Sequence, residues 1–190
     1  MVIVMSVATS LPVLETPHLL LREMALADAP TLARFMTQSR YQKYITHRLR
    51  DDLQVKEFVR RQVAAQDDGR RQVYHLAAEE KLSGDVVGEG FIIVHAGKGH
   101  EVGWGVHPAM WSMGLGTEIG QALLAMAFEH MKAASIWCKV MTGNDASATV
   151  AKRIGMAQTA TYPGQPVAPG RLETVQIFNL AATDYFDLPY

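Results

Sequence analysis

The sequence predicts a single α/β domain of the α+β type, with a sheet that is mostly antiparallel in its first half. Three observations carry this. Extended runs alternate with runs of helical periodicity along the 190 residues. The turns Lys81-Leu-Ser-Gly84 and Ala96-Gly-Lys-Gly99 each join two extended runs, a short connection that only antiparallel neighbours permit. No repeat, low-complexity tract or linker divides the chain, and its length suits one core, so the domain spans 1–190 with residues 1–13 as a tail.

His18–Met24 is rich in leucine and reads as the first strand. Asp28 opens a helix to about Gln38, with Ala29, Leu32, Ala33, Phe35 and Met36 at helical spacing. A second helix runs from about Leu53 to Gln66 and turns at Asp67-Asp-Gly-Arg70. Gln72–Glu79, Val86–Val94 and His100–His107 are strands. Next come a helix over 115–132, a strand over 136–141 and a helix from Asn144 or Asp145 to Ile154, the last closed by Gly155. Strands over 157–162 and 172–180 end the sheet. Pro163–Gly170, with three prolines and two glycines, reads as a loop with its own shape.

Composition excludes several functions. A net charge of −1 gives no field to attract nucleic acid or an acidic membrane. One cysteine, Cys138, rules out an internal disulfide framework and points to a reducing compartment, most simply the cytoplasm. Met1–Ala8 is apolar, but it lacks a basic start and is too short to span a bilayer, so no signal peptide is expected. His95, His100 and His107 cluster without metal-ligand spacing, so no metal is expected.

The chemistry concentrates at Trp111-Ser-Met-Gly-Leu-Gly-Thr-Glu118, where a strand hands over to a long helix. A helix start carries unpaired N–H groups and the positive end of the peptide dipole. Glycine lets an anion approach them, which suits a phosphorylated ligand; a plain tight turn is the competing reading. Just before lies Glu101-Val-Gly-Trp-Gly-Val-His107. Glycines inside a strand mark a bulge or a close approach by backbone or ligand, or a small-residue strand packed under a helix. Alternation puts Glu101 on the face of Gly103 and Gly105, where a carboxylate can serve as a general base or simply be solvated.

These segments resemble the GCN5-related N-acetyltransferase (GNAT) superfamily, on the RimJ/RimL-like branch. The carrying residues are Glu101-Val-Gly-Trp-Gly, His107-Pro, Trp111–Glu118, Asn144-Asp-Ala-Ser147 and Lys152-Arg-Ile-Gly-Met156, with Leu14–Arg22 as the opening strand. The resemblance implies a mixed, largely antiparallel sheet of six to seven strands flanked by about four helices, with a splayed central strand pair. It implies acetyl-CoA as co-substrate and a primary amine, a peptide N-terminus or a small molecule, as acceptor. The pyrophosphate would rest on the amides of Ser112, Met113, Gly114, Leu115, Gly116 and Thr117. The pantetheine arm would lie along Trp104, Gly105 and Val106, flanked by Asn144 and Ser147. Glu101 would act as base through water, and the Val106 N–H would polarise the thioester carbonyl. Tyr41, Tyr44 and His100 would contact the acceptor, with His47 and His107 as further candidates.

Two departures stand out. Met113 occupies a place where relatives often carry Arg or Lys, and a tyrosine that protonates the thiolate in many relatives falls at Ala151. Ser147 is then the substitute acid, or only a helix-start hydroxyl. The alternative function is a non-catalytic acyl-CoA-binding domain that senses or regulates. A dinucleotide-binding oxidoreductase fits poorly, because Ile119 stands where a third glycine belongs. Apolar ends at Val2–Val7 and Phe186–Tyr190 point to a possible homodimer.

Overall fold

The computed structural model describes residues 11–46, 48–97 and 99–188. Met1–Ser10, which hold most of the expected tail and Val2–Val7, lie outside them, as do His47, Lys98 and the last two residues of the apolar C-terminal end.

Eight strands form one sheet in the order β1-β2-β3-β4-β5-β6-β8-β7. They are β1 (Leu14–Glu15), β2 (Leu19–Glu23), β3 (Val73–Glu80), β4 (Val86–His95), β5 (Gly99–Val106), β6 (Ser135–Met141), β7 (Ala157–Ala168) and β8 (Arg171–Ala181). Every neighbouring pair is antiparallel except β5 and β6. One strand more than expected comes from the short β1, which turns on Thr16 and Pro17 before β2.

Helices cover both faces. Helices α1 (Ala29–Met36), α2 (Ser39–Gln42) and α3 (Asp52–Ala64) close one side around Leu32, Phe35, Val55 and Val59. Pro30 starts α1, where its missing N–H costs nothing. The Asp51 side chain accepts from the Gln54 N–H at 2.8 Å and caps α3. On the other face, α4 (Leu115–Ala125) and α5 (Asp145–Arg153) pack Leu115, Ile119, Leu123 and Ile154 against Ile92, Val102, Ile136 and Phe178. The predicted helix over 115–132 is α4 continued by a π-type turn, Met126–His130. A short α6 (Ala182–Phe186) comes after β8 and stacks Tyr185 on Phe128 at 4.6 Å.

Arg22 staples β2 to the start of α1 and to β3. Its guanidinium donates to both Asp28 oxygens at 2.8 Å and to Glu79 at 2.8 Å. Burial of Asp28 works to raise its carboxyl, but the hydrogen bonds from Arg22 and the Ala25 N–H outweigh it and hold it below the usual range.

The expected loop over 163–170 is a correction. The chain stays in β7 to Ala168 and turns only at Pro169 and Gly170. The prolines are tolerated because β7 is an edge strand, with one side that needs no donors, and because its register shifts at Tyr162/Gln165 and Pro166/Ala168. None of residues 163–170 lines the large cavity in the middle of the sheet. The hairpin acts beside its turn instead: the Arg171 guanidinium donates to the carbonyls of Lys43 (2.9 Å) and Ile45 (3.4 Å) and so fixes the segment after α2.

Candidate active site

The sheet opens in its middle. β5 and β6 pair, in parallel, only at His100–Ile136 and Glu101–Trp137. Beyond that point Val102–Val106 and Cys138–Met141 diverge, which is the predicted splay. A cavity of about 900 Å³ fills the gap and reaches through to the α1–α3 face.

One wall is the loop before α4. Ser112 and Gly114 both have positive φ, +66° and +85°. Left-handed residues in such a turn are the element from which anion-binding backbone nests are built. Gly114 caps α4 without a side-chain bond, and nothing stands within 4 Å of where its Cβ would be. The Thr117 and Glu118 amides bond back to the Gly114 carbonyl at 2.9 and 3.2 Å. Among the described residues, the amides of 112–116 have no partner. The loop is pinned from both ends. The Trp111 indole N–H donates to the Val106 carbonyl at 2.8 Å. Glu118 accepts from the Thr16 hydroxyl (2.6 Å) and the His18 amide (3.0 Å); burial would raise its carboxyl, but these bonds hold it low.

β5 divides its groups between two compartments. The His107 N–H donates to Val87 on β4 at 2.7 Å. By alternation the backbone groups of Val106 and Trp104 point the other way, into the opening. Their side chains pack on the α4–α5 face, so Trp104 is both core and cavity wall. The opposite face carries Glu101, Gly103 and Gly105 beside Ile93, Phe91 and Glu89 of β4. There the glycines leave the space that neighbouring side chains fill. A Cβ on Gly103 would strike the Phe91 ring at 2.3 Å, and one on Gly105 would stand 2.0 Å from the Tyr41 hydroxyl.

Most sequence-predicted residues meet at this cavity: Tyr41, Tyr44, Glu101, Trp104, Gly105, Val106, Ser112, Gly114, Leu115, Gly116, Thr117, Asn144 and Ser147 all line it. Met113 is exposed and outside the lining. His100 is also outside it; alternation turns it to the face opposite Glu101, and its buried Nδ1 has no partner among the described residues. His107 accepts from the Ala109 N–H and lies 5.2 Å from Phe35, so it is part of a turn.

Asn144 caps α5, accepting from the Ser147 N–H at 3.3 Å, and the Ser147 hydroxyl makes no hydrogen bond among the described residues. The Tyr44 hydroxyl donates to the Gly143 carbonyl at 2.5 Å, closing the cavity across α2 and the α5 entrance. Glu101 is 8 % exposed and already engaged, by Lys139 at 3.2 Å and His95 at 3.3 Å. It lies five residues from Val106, about 16 Å along an extended strand. Only a chain of several waters spans that. Cys138 faces the cavity, but burial first and the nearby Glu101 second push its thiol up to about 12.

Sequence reasoning missed a second carboxylate. Glu89 on β4 is 5 % exposed, yet it lines the cavity. It accepts from the Tyr41 hydroxyl at 2.8 Å and pairs with His75 Nε2 from β3. Burial works to raise its carboxyl, but His75 and Tyr41 outweigh burial and hold it low. Burial, then the Glu89 charge, push Tyr41 well above its ordinary value. The available signal was Gly88-Glu-Gly90, a charge between glycines in an otherwise apolar strand.

Comparisons with known proteins agree with this geometry. The family model described as Acetyltransferase (GNAT) domain matches residues 18–157. The solved structure of a GNAT-family acetyltransferase from Bacillus anthracis superposes with a TM-score of 0.80 at 18% identity, covering 90% of this chain and 99% of that one. The ribosomal-protein-S5-alanine acetyltransferase from Vibrio fischeri gives 0.78 at 14% identity, covering 92% and 98%. The spermidine N-acetyltransferase from Vibrio cholerae, solved with CoA and spermine, gives 0.76 at 13% identity, covering 90% and 99%.

Proposed function

This chain belongs to the acetyltransferase (GNAT) family, and we propose that within it the chain transfers an acetyl group from acetyl-CoA to a primary amine. One observation carries the reading: a run of unpartnered amides at 112–116 borders an opening between two strands that stop pairing. Such a run is suited to a diphosphate, and such an opening to an extended amide-bearing arm.

In this reading the loop amides hold the pyrophosphate, and Trp104 and Val106 hydrogen-bond the pantetheine arm. The Val106 N–H donates to the thioester oxygen, where negative charge develops as the amine adds. Met113 brings no cation. Arg40, whose guanidinium sits 5.0 Å over the Trp111 ring and lines the cavity, is the nearest substitute at the loop. Ser147 is the hydroxyl offered to the leaving thiolate, because Ala151 is fully buried and presents nothing to it. Glu101 takes a proton through water in the reading drawn from resemblance.

The acceptors named for the neighbours, a ribosomal-protein alanine and spermidine, are both amines. A RimJ/RimL-like role on a protein N-terminus and a small-molecule role both fit them. The buried Ala151 keeps a second reading in view, an acyl-CoA sensor without turnover.

The deciding experiment pairs calorimetry of acetyl-CoA binding with release of free thiol over a panel of amines. Binding with thiol release supports the transferase. Binding without release from peptides, polyamines, amino acids or aminoglycosides supports the sensor. Failure to bind acetyl-CoA sinks both.

A further inference from the structure

Glu89 and His75 have no role in the acetyl-transfer scheme, and burying them with Tyr41 is costly. A carboxylate taken out of water must be paired, and a buried pair rarely stabilises more than apolar residues of the same volume. We propose that Glu89 is the carboxylate that receives the acceptor, as the ammonium of a primary monoamine carrying an apolar or aromatic body. This rests on the acetyl-transfer reading and deepens it.

Position argues first. Glu89 stands directly opposite Gly105 in the β4–β5 register, next to the residue whose N–H meets the thioester. Its Oε1 would be 2.9 Å from a Gly105 Cβ, so the carboxylate lies against that strand because glycine leaves the space. Glu101 is four residues farther along, and Lys139 and His95 already engage it.

Capacity argues second. A carboxylate has about four lone-pair sites. Tyr41 takes one on Oε1 and His75 one on Oε2, which leaves room for an ammonium. The two partners also lock the carboxylate's orientation. His75 is itself held edge-on to Phe58 at 4.9 Å and lies 5.4 Å from Phe91.

The surroundings set the substrate class. Around the trio the cavity is lined by Met36, Ile45, Leu49, Phe58 and Phe91. The other charged groups on the lining are Arg40, Lys139, Arg153, Glu101, which Lys139 and His95 engage, and Asp145, exposed at the start of α5. A polyamine or aminoglycoside would bring several cations against these apolar walls, where Glu89 has no lysine or arginine partner among the described residues. A single ammonium on an apolar body matches both the charge and the walls.

In the transfer itself, the ammonium gives one proton to Glu89. The neutral nitrogen adds to the thioester carbonyl carbon, forming C–N. The C–S bond breaks, and the remaining surplus proton on nitrogen passes to the departing sulfur, giving amide and free thiol. Glu89 then releases its proton to solvent.

The test measures thiol release from wild type with 2-phenylethylamine, spermidine and kanamycin, and then with Glu89→Gln. The expected result is a kcat/KM at least tenfold higher for phenylethylamine than for either polycation. Glu89→Gln should lower it about 100-fold or more, while acetyl-CoA binding by calorimetry stays within twofold. A preference for the polycations overturns the substrate class. Glu89→Gln retaining half of the wild-type kcat/KM overturns the residue's role. No release from these three amines while acetyl-CoA binds overturns this inference; the transferase reading falls with it only if peptides and amino acids release no thiol either. If Glu89→Gln does not fold, Tyr41→Phe decides. It removes a hydrogen bond that lowers the Glu89 pKa, so the acid limb of the kcat/KM profile must move to higher pH; an unmoved limb overturns the role of Glu89.

Discussion

Replacing Gly105 with alanine tests how the two compartments fit together across β5. The new Cβ would stand 2.0 Å from the Tyr41 hydroxyl oxygen, 2.8 Å from its Cζ and 2.9 Å from Glu89 Oε1. Against an ordinary contact of about 3.5 Å, the ring must retreat by more than ~1 Å. That retreat breaks the 2.8 Å bond from Tyr41 to Glu89. Leaving these buried polar groups short of a partner costs about 1–3 kcal/mol. Crowding a packed site adds about 1–3 kcal/mol. A loss of about 3 kcal/mol lowers Tm by roughly 6–12 °C for a domain of this size. Thermal melts followed by circular dichroism measure it. The companion is Tyr41→Ala, which removes everything the new methyl would hit except Glu89. In that background Gly105→Ala should cost little, so a double-mutant cycle should give a coupling of about 2 kcal/mol. If Gly105→Ala melts within a degree or two of wild type, or if the two losses simply add, the packing argument at β5 is wrong.

Three more outcomes rest on particular contacts. Ser112→Gly relieves a left-handed backbone at φ +66°; strain relief of about 1–2 kcal/mol against a glycine entropy cost of about 0.5–1 kcal/mol should leave Tm unchanged or a few degrees higher, with acetyl-CoA affinity kept. Asp28→Asn should cost about 2–3 kcal/mol in urea unfolding at pH 7, at the low end for a broken buried pair because Arg22 is a quarter exposed. The Asp28 contribution is present above the unfolded carboxylate value of about 3.9 and is lost as pH falls through the lower folded value, so acidifying wild type below pH ~4 should shrink the gap between the two proteins. Native Cys138, with its thiol pushed up to about 12, should resist a thiol reagent at pH 7.5 and react only as the protein unfolds; rapid labelling of folded protein would contradict its burial.

The secondary structure was legible where periodicity is strong. The hairpin turn at Lys81–Gly84, the helix around Phe35 and the Gly155 cap all lie where the pattern puts them. So does the splay, which the resemblance carried by the loop and strand motifs implies. The hairpin over 163–170 was not legible, because proline reports a missing donor and not whether that donor would face a neighbour. Edge position settles that, and edge position is a property of the whole sheet. Glu101 was visible as a lone carboxylate on a glycine-bearing strand, but its engagement by Lys139 and His95 depends on β6 and β4. The Glu89 trio draws on α2, β3 and β4, whose residues lie 34 and 14 positions apart in sequence. No local pattern links them.

The placement of glycines in β5 reflects what the strand must separate. A strand sends its backbone groups sideways and its side chains up and down, with a period of two. Here Trp104 and Val106 offer backbone to the opening and side chains to the α4–α5 core. The residues that alternate with them, Gly103 and Gly105, must therefore face α1–α3, where Phe91, Tyr41 and Glu89 already fill the space a side chain would take. On the proposed function, enlarging either glycine should close the acceptor side without touching the cofactor side. Lesions in the 112–116 loop should do the reverse. The two classes should accordingly separate in kinetics, the first raising KM for the amine and the second raising KM for acetyl-CoA, and a single class that raised both would mean that β5 does not partition the site.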